Sequence, residues 1–481
     1  MTLKNEPALR RHFIDKRIAY WNARAGAVAE TEGWSQYYHR CLQRIYQRIV
    51  PRHQRVLEVG CGQGGLLAAL EPADGTGVDL CEEMIKRGSD RFPQLRFIHS
   101  DAQDLELEET FDFIIMSDLV NELWDVQEVL GKLRRFCDPH TRIILNSYSR
   151  VWQPVLATAN ALGVAKPVLD KNWLAPNDIA NLFHLEGFEI IRKWAEVLWP
   201  LNTPFLAELC NRMLVRLWPL RLFALTGFII ARPQPHYEVN ESEPTVSVVV
   251  PARNEAGNIK QLFERTPEMG AGTELVFVEG QSSDNTYETI REAMAAHPER
   301  KCQLFRQPGT GKGDAVRHGF AHSSGDVLMI LDGDISVPPE ILPRFYEALV
   351  SGKGEFINGV RLVYPMEQRA MRFFNQMGNK FFSLAFTWLL EQPIKDCLCG
   401  TKVLYKKHYQ VIAANRAYFG NLDPFGDFDL ILGAARLNLK IVDVPIRYQE
   451  RTYGSTNIRR WRHGVLLFRM LIVAARRLKF A

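Results

Sequence analysis

The sequence has no long apolar run and no large excess of charge, and both absences limit what it can encode. None of its apolar stretches approaches the ~18 residues that a membrane-spanning helix needs, so we expect no such helix. The first twenty residues contain no apolar core like that of a secretory signal peptide. With 59 Lys and Arg against 55 Asp and Glu, the net charge is only +4, which argues against a nucleic-acid binder held by bulk charge.

Paired cysteines are also absent. The eight cysteines are scattered and include no C-x-x-C pair, which favours reduced thiols in a cytoplasmic protein. Cys397 and Cys399 form a C-x-C, but without a second pair or a nearby histidine cluster they match a metal site poorly. What remains is an ordinary globular composition, with 46% apolar and 24% charged residues.

A polar, proline-containing segment divides the chain. The string ARPQPHYEVNESEPTVS, residues 231–247, separates two apolar strand-like runs and has the chemistry of a linker. We therefore predict a first domain over 1–232, a linker over 233–244 and a second domain over 245–481. Each half is long enough for a full hydrophobic core.

Both halves alternate short β-branched runs with longer helical patterns, which predicts the α/β class with parallel sheets covered by helices. The predicted strands are 55–59, 75–79, 95–99, 111–116, 142–146, 188–192 and 225–231 in the first half, and 246–250, 274–278, 302–306, 327–331 and 440–444 in the second. A further stretch, 34–49, has apolar residues at helical spacing and is interpreted as core packing, with a lid over a ligand as the alternative.

A glycine-rich segment, GCGQGG, follows the first predicted strand and leads into a helix. Glycine lets the backbone turn sharply beside a ligand, and the helix start offers free N–H groups. The next strand ends in Asp79, which is placed to accept hydrogen bonds from ribose hydroxyls. Gly60, Gly62 and Gly65 also match G-x-G-x-x-G, so a nicotinamide-dinucleotide site is an alternative, on a weak motif.

The wider strings VLEVGCGQGGLLAAL, GVDLCEEMI, HSDAQDL and FDFIIMSDLVNELWD resemble the class I S-adenosylmethionine-dependent methyltransferases over roughly residues 15–232. The resemblance implies a Rossmann-like fold that binds S-adenosylmethionine. The residues it assigns to the cofactor are Glu58, Gly60, Gly62, Asp79, Asp101, Ala102 and Ser117. No base for methyl transfer is evident; Tyr148 and His184 are candidates, and a scaffold without activity is the alternative.

In the second half, Asp332-Gly333-Asp334 follows the strongly apolar run VLMIL. Two carboxylates one residue apart at a strand end can hold a divalent cation against a diphosphate. The nearby GTGKG string is no phosphate loop, because Arg306 and Gly313 stand where that motif needs glycine and Ser or Thr.

This D-G-D, together with VSVVVPARNEAGNI, VFVEGQSSDNT, DCLCGTK and DVPIRYQERTYGSTN, resembles the family 2 glycosyltransferases of the GT-A fold over roughly 245–460. The likeness is greatest to the polyprenyl-phosphate (dolichol-phosphate) sugar synthases. It assigns the nucleotide-sugar to Pro251, Arg253, Glu255, Glu279, Lys312, Asp332 and Arg451, and Mg²⁺ or Mn²⁺ to Asp332 and Asp334.

A catalytic base depends on the acceptor. Asp427, Asp429 and Asp396 are candidates if the acceptor is a hydroxyl, whereas a lipid phosphate is already anionic and needs none. Two departures stand out: relatives usually have two acids where this chain has Glu279-Gly280. They also usually have Gly-x-Ser-Lys where it has GSTN at 454–457.

The C-terminal residues account for the net positive charge of the chain. From Arg451 to Ala481 there are seven Arg, one Lys and no acid. Segments 459–480 and 369–390 are apolar with scattered cations, a pattern of helices that lie in a membrane interface; packing on the core is the alternative. The expected partners are a nucleotide-diphospho-sugar and either a polyprenyl phosphate or a membrane surface, and no nucleic acid.

Taken together, these patterns predict a bifunctional enzyme, an inverting glycosyltransferase fused to a methyltransferase. The location expected is cytoplasmic, with peripheral attachment to the inner face of the membrane left open. The alternative is a glycosyltransferase for a soluble hydroxyl acceptor, with the first half serving as a cofactor-binding scaffold or regulatory module. The sugar, the nucleotide, both acceptors and the oligomeric state are undetermined by the sequence.

Overall fold

The computed structural model describes residues 6–28, 34–161, 169, 171–235, 243–361, 373–418, 426–446, 448–449, 451, 453 and 460–480. The chain divides into two compact units, Met1–Gln234 and Pro235–Ala481. The last strand of the first unit continues to Pro233, so the division falls slightly later than the end of the predicted first domain.

The described part of the first unit forms a seven-stranded sheet. Its strands are β1 (Arg55–Val59), β2 (Asp74–Asp79), β3 (Arg96–His99), β4 (Phe111–Ser117), β5 (Cys137–Tyr148), β6 (Phe188–Glu196) and β7 (Thr226–Pro233). Their order is β3-β2-β1-β4-β5-β7-β6, with β7 antiparallel to both neighbours and the other pairs parallel. The carboxyl ends of β1 to β6 therefore meet at one edge.

Helices cover both faces of this sheet. They are α1 (Glu6–Val28), α2 (Trp34–Ile49), α3 (Gly65–Ala69), α4 (Glu82–Arg91), α5 (Val126–Leu133), α6 (Gln153–Ala161), α7 (Pro176–Leu185) and the single turn α8 (Leu206–Glu208). Successive residues such as Ile143 and Ile144 enter separate cores on opposite faces, which explains the unbroken apolar runs of these strands. On α2, Leu42 and Tyr46 are buried in one of these cores, as the core-packing interpretation of 34–49 predicts.

The described part of the second unit also forms a seven-stranded sheet. Its strands are β8 (Val246–Ala252), β9 (Thr273–Glu279), β10 (Cys302–Arg306), β11 (Val327–Ile330), β12 (Phe356–Val360), β13 (Lys402–Tyr405) and β14 (Ile441–Pro445). The order is β10-β9-β8-β11-β13-β12-β14, and β13 is antiparallel to β11 and β12. The helices are α9 (Ile259–Arg265), α10 (Thr286–Ala296), α11 (Lys312–His322), α12 (Leu342–Val350), α13 (Phe373–Leu390), α14 (Lys406–Ala414), α15 (Asp427–Arg436) and α16 (Arg460–Ala474).

The α/β prediction is confirmed for both units, but the expectation of purely parallel sheets is wrong. One antiparallel strand lies inside each sheet, and β12 and β13 were not among the predicted strands. A strand buried on both faces is apolar whichever way it runs, so its direction leaves no mark on the hydrophobic pattern. Among the helices of the described ranges, none combines the length and hydropathy needed to cross a bilayer.

Candidate active sites

In the first unit, the glycine loop leaves the carboxyl end of β1 beside the end of β2. Gly62 has φ +53°, a left-handed conformation that favours glycine, and its N–H donates to Asp79 Oδ2 at 2.8 Å. The N–H of Cys81 donates to the other carboxylate oxygen at 2.9 Å. Asp79 is thus oriented by two backbone donors, and each oxygen still has a lone pair free for a ligand.

Glu58 lies beneath this loop rather than in the cleft. Its side chain is buried, and Oε2 accepts the N–H of Leu67 in α3 at 3.0 Å. Burial raises the pKa of Glu58 to about 8, although the backbone hydrogen bond acts in the opposite direction. The carboxyl group therefore positions the loop, whereas the sequence assigned it to the cofactor.

The remaining predicted cofactor residues follow the neighbouring strands. Asp101 and the buried Ala102 come after β3, and Ser117 is the last residue of β4. Asp101 Oδ1 accepts the N–H of Gln103 at 3.1 Å. All seven residues that the sequence assigned are therefore on or next to the carboxyl edge, with Glu58 set below it.

Helix α1 lies against three parts of this edge. Arg10 bonds Asp101 at 3.3 Å, and Gln63 of the glycine loop donates to the carbonyl of Ala25 at 3.0 Å. Arg17 pairs with Glu122, just beyond β4, at 3.4 Å. The sequence analysis gave residues 34–49 the alternative role of a lid over the ligand. In the structure the preceding helix, α1, is the one that contacts this edge.

A second cluster lies where β4 and β5 end. Asp118, at φ +56°, accepts hydrogen bonds through Oδ1 from the Tyr38 hydroxyl at 3.0 Å and from Asn146 Nδ2 at 2.6 Å. Tyr148 stacks on Tyr38 with ring centroids 5.9 Å apart. Burial raises the pKa of Asp118 to about 7, against the lowering effect of the Tyr38 hydrogen bond. Such a carboxyl group can exchange a proton near neutral pH.

Only one of the two candidate bases predicted for methyl transfer lies in this cluster. Tyr148 belongs to it, whereas His184 lies near the end of α7, just before the amino end of β6. Because β6 and β5 run in the same direction, His184 lies at the opposite edge of the sheet. The sequence did not identify Asp118 as a base, because Tyr38 and Asn146 are distant along the chain.

In the second unit, the loops after β8 and β9 are bound to each other. The N–H of Asn254 donates to Ser282 Oγ at 3.0 Å, and the N–H of Glu255 donates to Thr286 Oγ1 at 2.9 Å. Pro251 lies within β8, Arg253 is exposed just after it, and Glu279 ends β9 and accepts the N–H of Ser282. These predicted nucleotide-sugar residues therefore lie on one carboxyl edge.

The D-G-D follows β11 at the same edge, and each aspartate is paired with a cation. Lys312 Nζ lies 2.5 Å from Asp332, and Arg451 lies 2.5 Å from Asp334 and 3.6 Å from Glu255. A Cβ on Gly400 would overlap both Lys312 Nζ and the Asp332 carboxylate, so this close pairing requires glycine there. The C-terminal segment thus places Arg451 against residues more than a hundred positions earlier.

These ion pairs shift the pKa values of some of the paired side chains. Burial acts to lower the pKa of Lys312, but the negative charges of Asp332 and Asp427 outweigh it and raise that pKa. For Asp334, burial is outweighed by hydrogen bonds from Ser336 and by the charge of Arg451, which lower its pKa. Burial raises the pKa of Glu255 to about 7 despite the charge of Arg451.

The chemistry of this donor set fits a divalent cation. Mg²⁺ and Mn²⁺ prefer carboxylate oxygens, and the Asp332 side chain keeps 25% of its surface exposed, which leaves it accessible to a ligand. Both aspartates are already neutralised by a lysine and an arginine, so a metal ion and those two cations compete for the same oxygens.

The three candidate bases occupy different surroundings. Asp427 begins α15, and its charge acts on Lys312, which places it near the D-G-D. Asp429 pairs with Arg317 at 3.3 Å and Arg416 at 3.5 Å. Its pKa is nevertheless raised, because burial outweighs these two arginines.

Asp396 is buried and bound to Arg361 and Asn379, which argues against its predicted role as a catalytic base. Its side chain is fully buried and makes two ion-pair contacts with Arg361, at 2.8 and 2.9 Å, and one hydrogen bond with Asn379 at 2.9 Å. Despite burial, the charge of Arg361 lowers its pKa to about 2. A permanently ionised carboxylate with its oxygens occupied is a poor proton acceptor. The GSTN departure at 454–457 lies outside the described residues.

Comparison with known proteins gives a family for a segment of each unit. Residues 56–140 match the model of a methyltransferase domain, and residues 247–410 match the model of glycosyl transferase family 2. The chain joins a methyltransferase domain to a family 2 glycosyl transferase domain. Both resemblances inferred from the sequence are confirmed, and the nicotinamide alternative is not supported.

Several known proteins resemble one half of this chain. A dolichol-phosphate mannosyltransferase of Pyrococcus furiosus is 29% identical over 218 residues, 44% of this chain and 59% of the relative. An undecaprenyl-phosphate 4-deoxy-4-formamido-L-arabinose transferase of Edwardsiella ictaluri is 37% identical over 111 residues, 22% of this chain and 34% of the relative. The chain spans less than two thirds of the length of either. A magnesium protoporphyrin IX methyltransferase of Synechocystis PCC 6803, solved with S-adenosylhomocysteine, is 16% identical, with a TM-score of 0.31 and coverage of 48% of this chain and all of that one.

Proposed function

We propose that the second unit transfers a sugar, with inversion, from a nucleotide-diphospho-sugar to a polyprenyl phosphate. The observation that carries the proposal is the pairing of Lys312 with Asp332 and of Arg451 with Asp334 at one sheet edge. The names of the two glycosyl transferase relatives, both of which act on polyprenyl-type phosphates, support this acceptor class.

In this proposal Asp332 and Asp334 hold the divalent cation, which supplies charge stabilisation to the leaving diphosphate. Lys312 and Arg451 would bind the phosphate oxygens of the donor if the two aspartates held the cation. The bond between the anomeric carbon and the diphosphate oxygen breaks, and its electron pair leaves with the nucleoside diphosphate. The acceptor phosphate oxygen forms the new bond from the opposite face, and no proton need be removed.

The surroundings of the candidate bases favour this acceptor. A base for a hydroxyl acceptor has to be ionised and unoccupied, whereas Asp429 is bound by two arginines and Asp396 is bound by Arg361. The two arginines that pair with Asp429, Arg317 and Arg416, outnumber that carboxylate and leave positive charge suited to an anionic acceptor. Asp427, whose charge acts on Lys312 near the D-G-D, is the candidate base to test for a soluble hydroxyl acceptor, the second function.

Two helices of the second unit support a lipid environment. Phe381 and Leu384 on α13 are 54% and 73% exposed, and Phe468 on α16 is 50% exposed near Arg469. Other residues of the same helices, such as Phe386 and Met470, are buried in the core. The two interpretations of these segments are therefore compatible: one face packs on the core and the other suits a membrane interface.

We propose that the first unit transfers a methyl group from S-adenosylmethionine bound at the glycine loop, Asp79 and Asp101. When bound, S-adenosylmethionine would supply an electrophilic methyl group and a sulfur leaving group that takes the electron pair of the carbon–sulfur bond. Asp118 accepts the proton of the acceptor hydroxyl or amine as the new bond to the methyl carbon forms. Tyr38 and Asn146 hold the Asp118 carboxylate in place for this step.

One pair of experiments tests both halves. Labelled nucleotide sugars are incubated with a short polyprenyl phosphate, Mg²⁺ or Mn²⁺ and either the parent protein or Asp427→Asn. Transfer that survives in Asp427→Asn supports the phosphate acceptor, whereas full loss favours a hydroxyl. Titration calorimetry with S-adenosylmethionine tests the first unit, and absence of binding there would leave it a scaffold.

A further inference from the structure

The connection between β6 and β7 is far longer than the strands require. These strands are antiparallel neighbours, with Glu196 paired to Thr226. Such neighbours can be joined by a two-residue hairpin, but here residues 197–225 intervene. An insertion of this length inside a compact unit calls for a functional explanation.

The inner side of this insertion is anchored. Arg216 forms a buried ion pair with Glu196 at 2.5 Å, and Asn211 donates to the carbonyl of Trp199 at 2.7 Å and to the Tyr37 hydroxyl at 3.3 Å. Cys210 and Val215 are buried. The segment therefore has a defined orientation on the unit, and its outer side is a defined surface.

That outer side is strongly apolar. Phe205 is 92% exposed and Trp218 is 74% exposed, and Leu209, Met213, Leu222 and Phe223 are each at least 46% exposed. Isolated exposed apolar side chains are common, but a concentration of this kind, with two aromatic rings projecting into solvent, marks an interaction surface. We call residues 204–223 the apolar insertion surface.

The exposed charges on this surface sum to one positive charge. Its exposed ionic side chains are Glu208, Arg212 and Arg221, and Glu208 is neutralised by Arg212 at 2.9 Å. Arg221 is left as net positive charge. Aromatic and leucine side chains interspersed with arginine are the composition of segments that insert into the headgroup region of an anionic bilayer. The second unit exposes a similar combination on α13 and α16, so one kind of partner suits both units.

The surface adjoins the methyl-transfer edge. Thr226, where the insertion ends, is paired with Tyr148 at the end of β5, and Trp152 Nε1 donates to the carbonyl of Phe223 at 2.8 Å. Tyr148 in turn stacks on Tyr38, which bonds Asp118. The apolar surface is thus contiguous with the cluster assigned to the methyl acceptor.

We propose that the apolar insertion surface docks the methyltransferase unit on an anionic lipid bilayer, so that the methyl acceptor is a lipid-borne molecule. The second clause rests on the proposed methyl transfer, whereas docking itself does not. The site is then supplied from the membrane plane, and the acceptor's polar headgroup reaches Asp118 while its apolar part stays in the bilayer.

Vesicle co-sedimentation of the full chain tests the docking. The vesicles are phosphatidylcholine with about 30% phosphatidylglycerol, and pure phosphatidylcholine vesicles serve as the uncharged comparison. Phe205→Glu and Trp218→Glu, made separately, are each expected to lower the partition coefficient at least about tenfold, because an aromatic burial is replaced by a charge. Leu185→Glu, at an exposed apolar position at the opposite edge of the sheet, is the matched control and is expected to bind like the parent.

Arg221→Glu sharpens the test, since it should weaken binding to the anionic vesicles and leave binding to the uncharged ones nearly unchanged. Binding of S-adenosylmethionine by each variant reports that the unit is folded. Unchanged sedimentation of both aromatic variants would overturn the proposal. So would variants that abolish self-association in analytical ultracentrifugation while still binding vesicles, because the surface would then join two copies of the chain. The vesicle assay uses no methyl donor, so failure of the proposed methyl transfer would not affect it.

Discussion

The carboxyl groups at the two ligand edges differ in whether a cationic side chain is paired with them. At the methyltransferase edge, the buried Glu58 and the partly buried Asp118 form no ion pair in the described part of the chain, and desolvation raises their pKa values to about 8 and about 7. At the glycosyl transferase edge, Asp332 and Asp334 are each paired with a cation. Desolvation favours the neutral form of a carboxyl group, and a cation in close contact opposes that effect. Glu255 is an exception at the glycosyl transferase edge, because burial raises its pKa to about 7 although Arg451 lies 3.6 Å away.

The contrast matches the ligands proposed for each edge. The proposed methyl donor is a sulfonium cation, so its edge needs no cationic side chain in contact with the ligand. The sugar donor is a diphosphate, and an edge with Lys312, Arg451 and a metal-binding pair of acids suits a negative one. The predictions below test this contrast in order of decreasing effect.

The largest effect is expected at the D-G-D. Asp332→Asn and Asp334→Asn each remove a metal ligand and release a cation, so glycosyl transfer should fall by at least about 10³-fold. Calorimetric binding of S-adenosylmethionine should be unchanged, since the first unit does not contain these residues. Full transfer by either variant would contradict the assigned metal site.

Asp396→Asn tests a buried carboxylate of the second unit that is paired with Arg361 and has no role proposed in ligand binding. Removing its charge leaves Arg361 buried without a counter-ion, which should cost about 3–5 kcal/mol of unfolding free energy in a urea titration. Because the folded pKa of about 2 lies below the usual value of 3.8, the ion pair stabilises above pH ~4 and its contribution is lost as the pH falls through 2. Equal stability of parent and variant at pH 7 would contradict this assignment.

Asp118→Asn tests the uncompensated carboxyl group at the methyl-transfer edge. We expect kcat for methyl transfer to drop by about 10²-fold, since one general base is lost. In the parent, kcat should rise as the pH increases through about 7, where Asp118 loses its proton, and this inflection should be missing in the variant. Asn146→Asp is unsuitable as a control because it adds a charge, so Tyr148→Phe, which keeps the ring stack, is used instead. An identical pH profile in Asp118→Asn would argue against the base.

Glu58→Gln tests the buried carboxyl group under the glycine loop and has the smallest effect. The folded pKa of about 8 exceeds the usual 4.5, so the parent's stability should decline as the pH rises from 4.5 to 8. The amide cannot ionise and still accepts the Leu67 N–H, so the decline should be shallower in the variant, which should be more stable than the parent by about 1–3 kcal/mol at pH 8. Asp118 and Glu255, whose pKa values are also raised, contribute equally to the decline in both proteins. Unfolding titrations across this range check it, and parallel pH dependence of both proteins would contradict it.

Much of each site could be predicted from local strings. The glycine loop, Asp79 and the D-G-D each follow a strand directly, and the end of a parallel strand points to the ligand edge whatever the rest of the chain does. The partners of these residues could not be predicted in the same way. Arg451 lies 117 positions from Asp334, and Tyr38 lies 80 positions from Asp118, and no periodicity connects residues so far apart.

Similar limits explain the individual errors. Asp396 sits in a string typical of the family, but its burial against Arg361 depends on how α13 and β12 are packed. His184 has a chemically suitable side chain, but the direction of β6 places it at the wrong edge. The apolar insertion surface was overlooked because LWPLNTPFLAELCNRMLVRLWPLRLF looks like any core segment until its outer face is seen to lack a cover.

The sequence by itself determined that this chain has two α/β halves with different chemistries, because glycine loops, strand-end acids and a proline-rich divider act over a few residues. Only the tertiary structure decided which acids are paired, which are left protonated near neutral pH, and which apolar residues face outward. Those properties depend on burial and on charges brought together from distant positions, and burial and long-range Coulomb interactions exist only once the chain has folded.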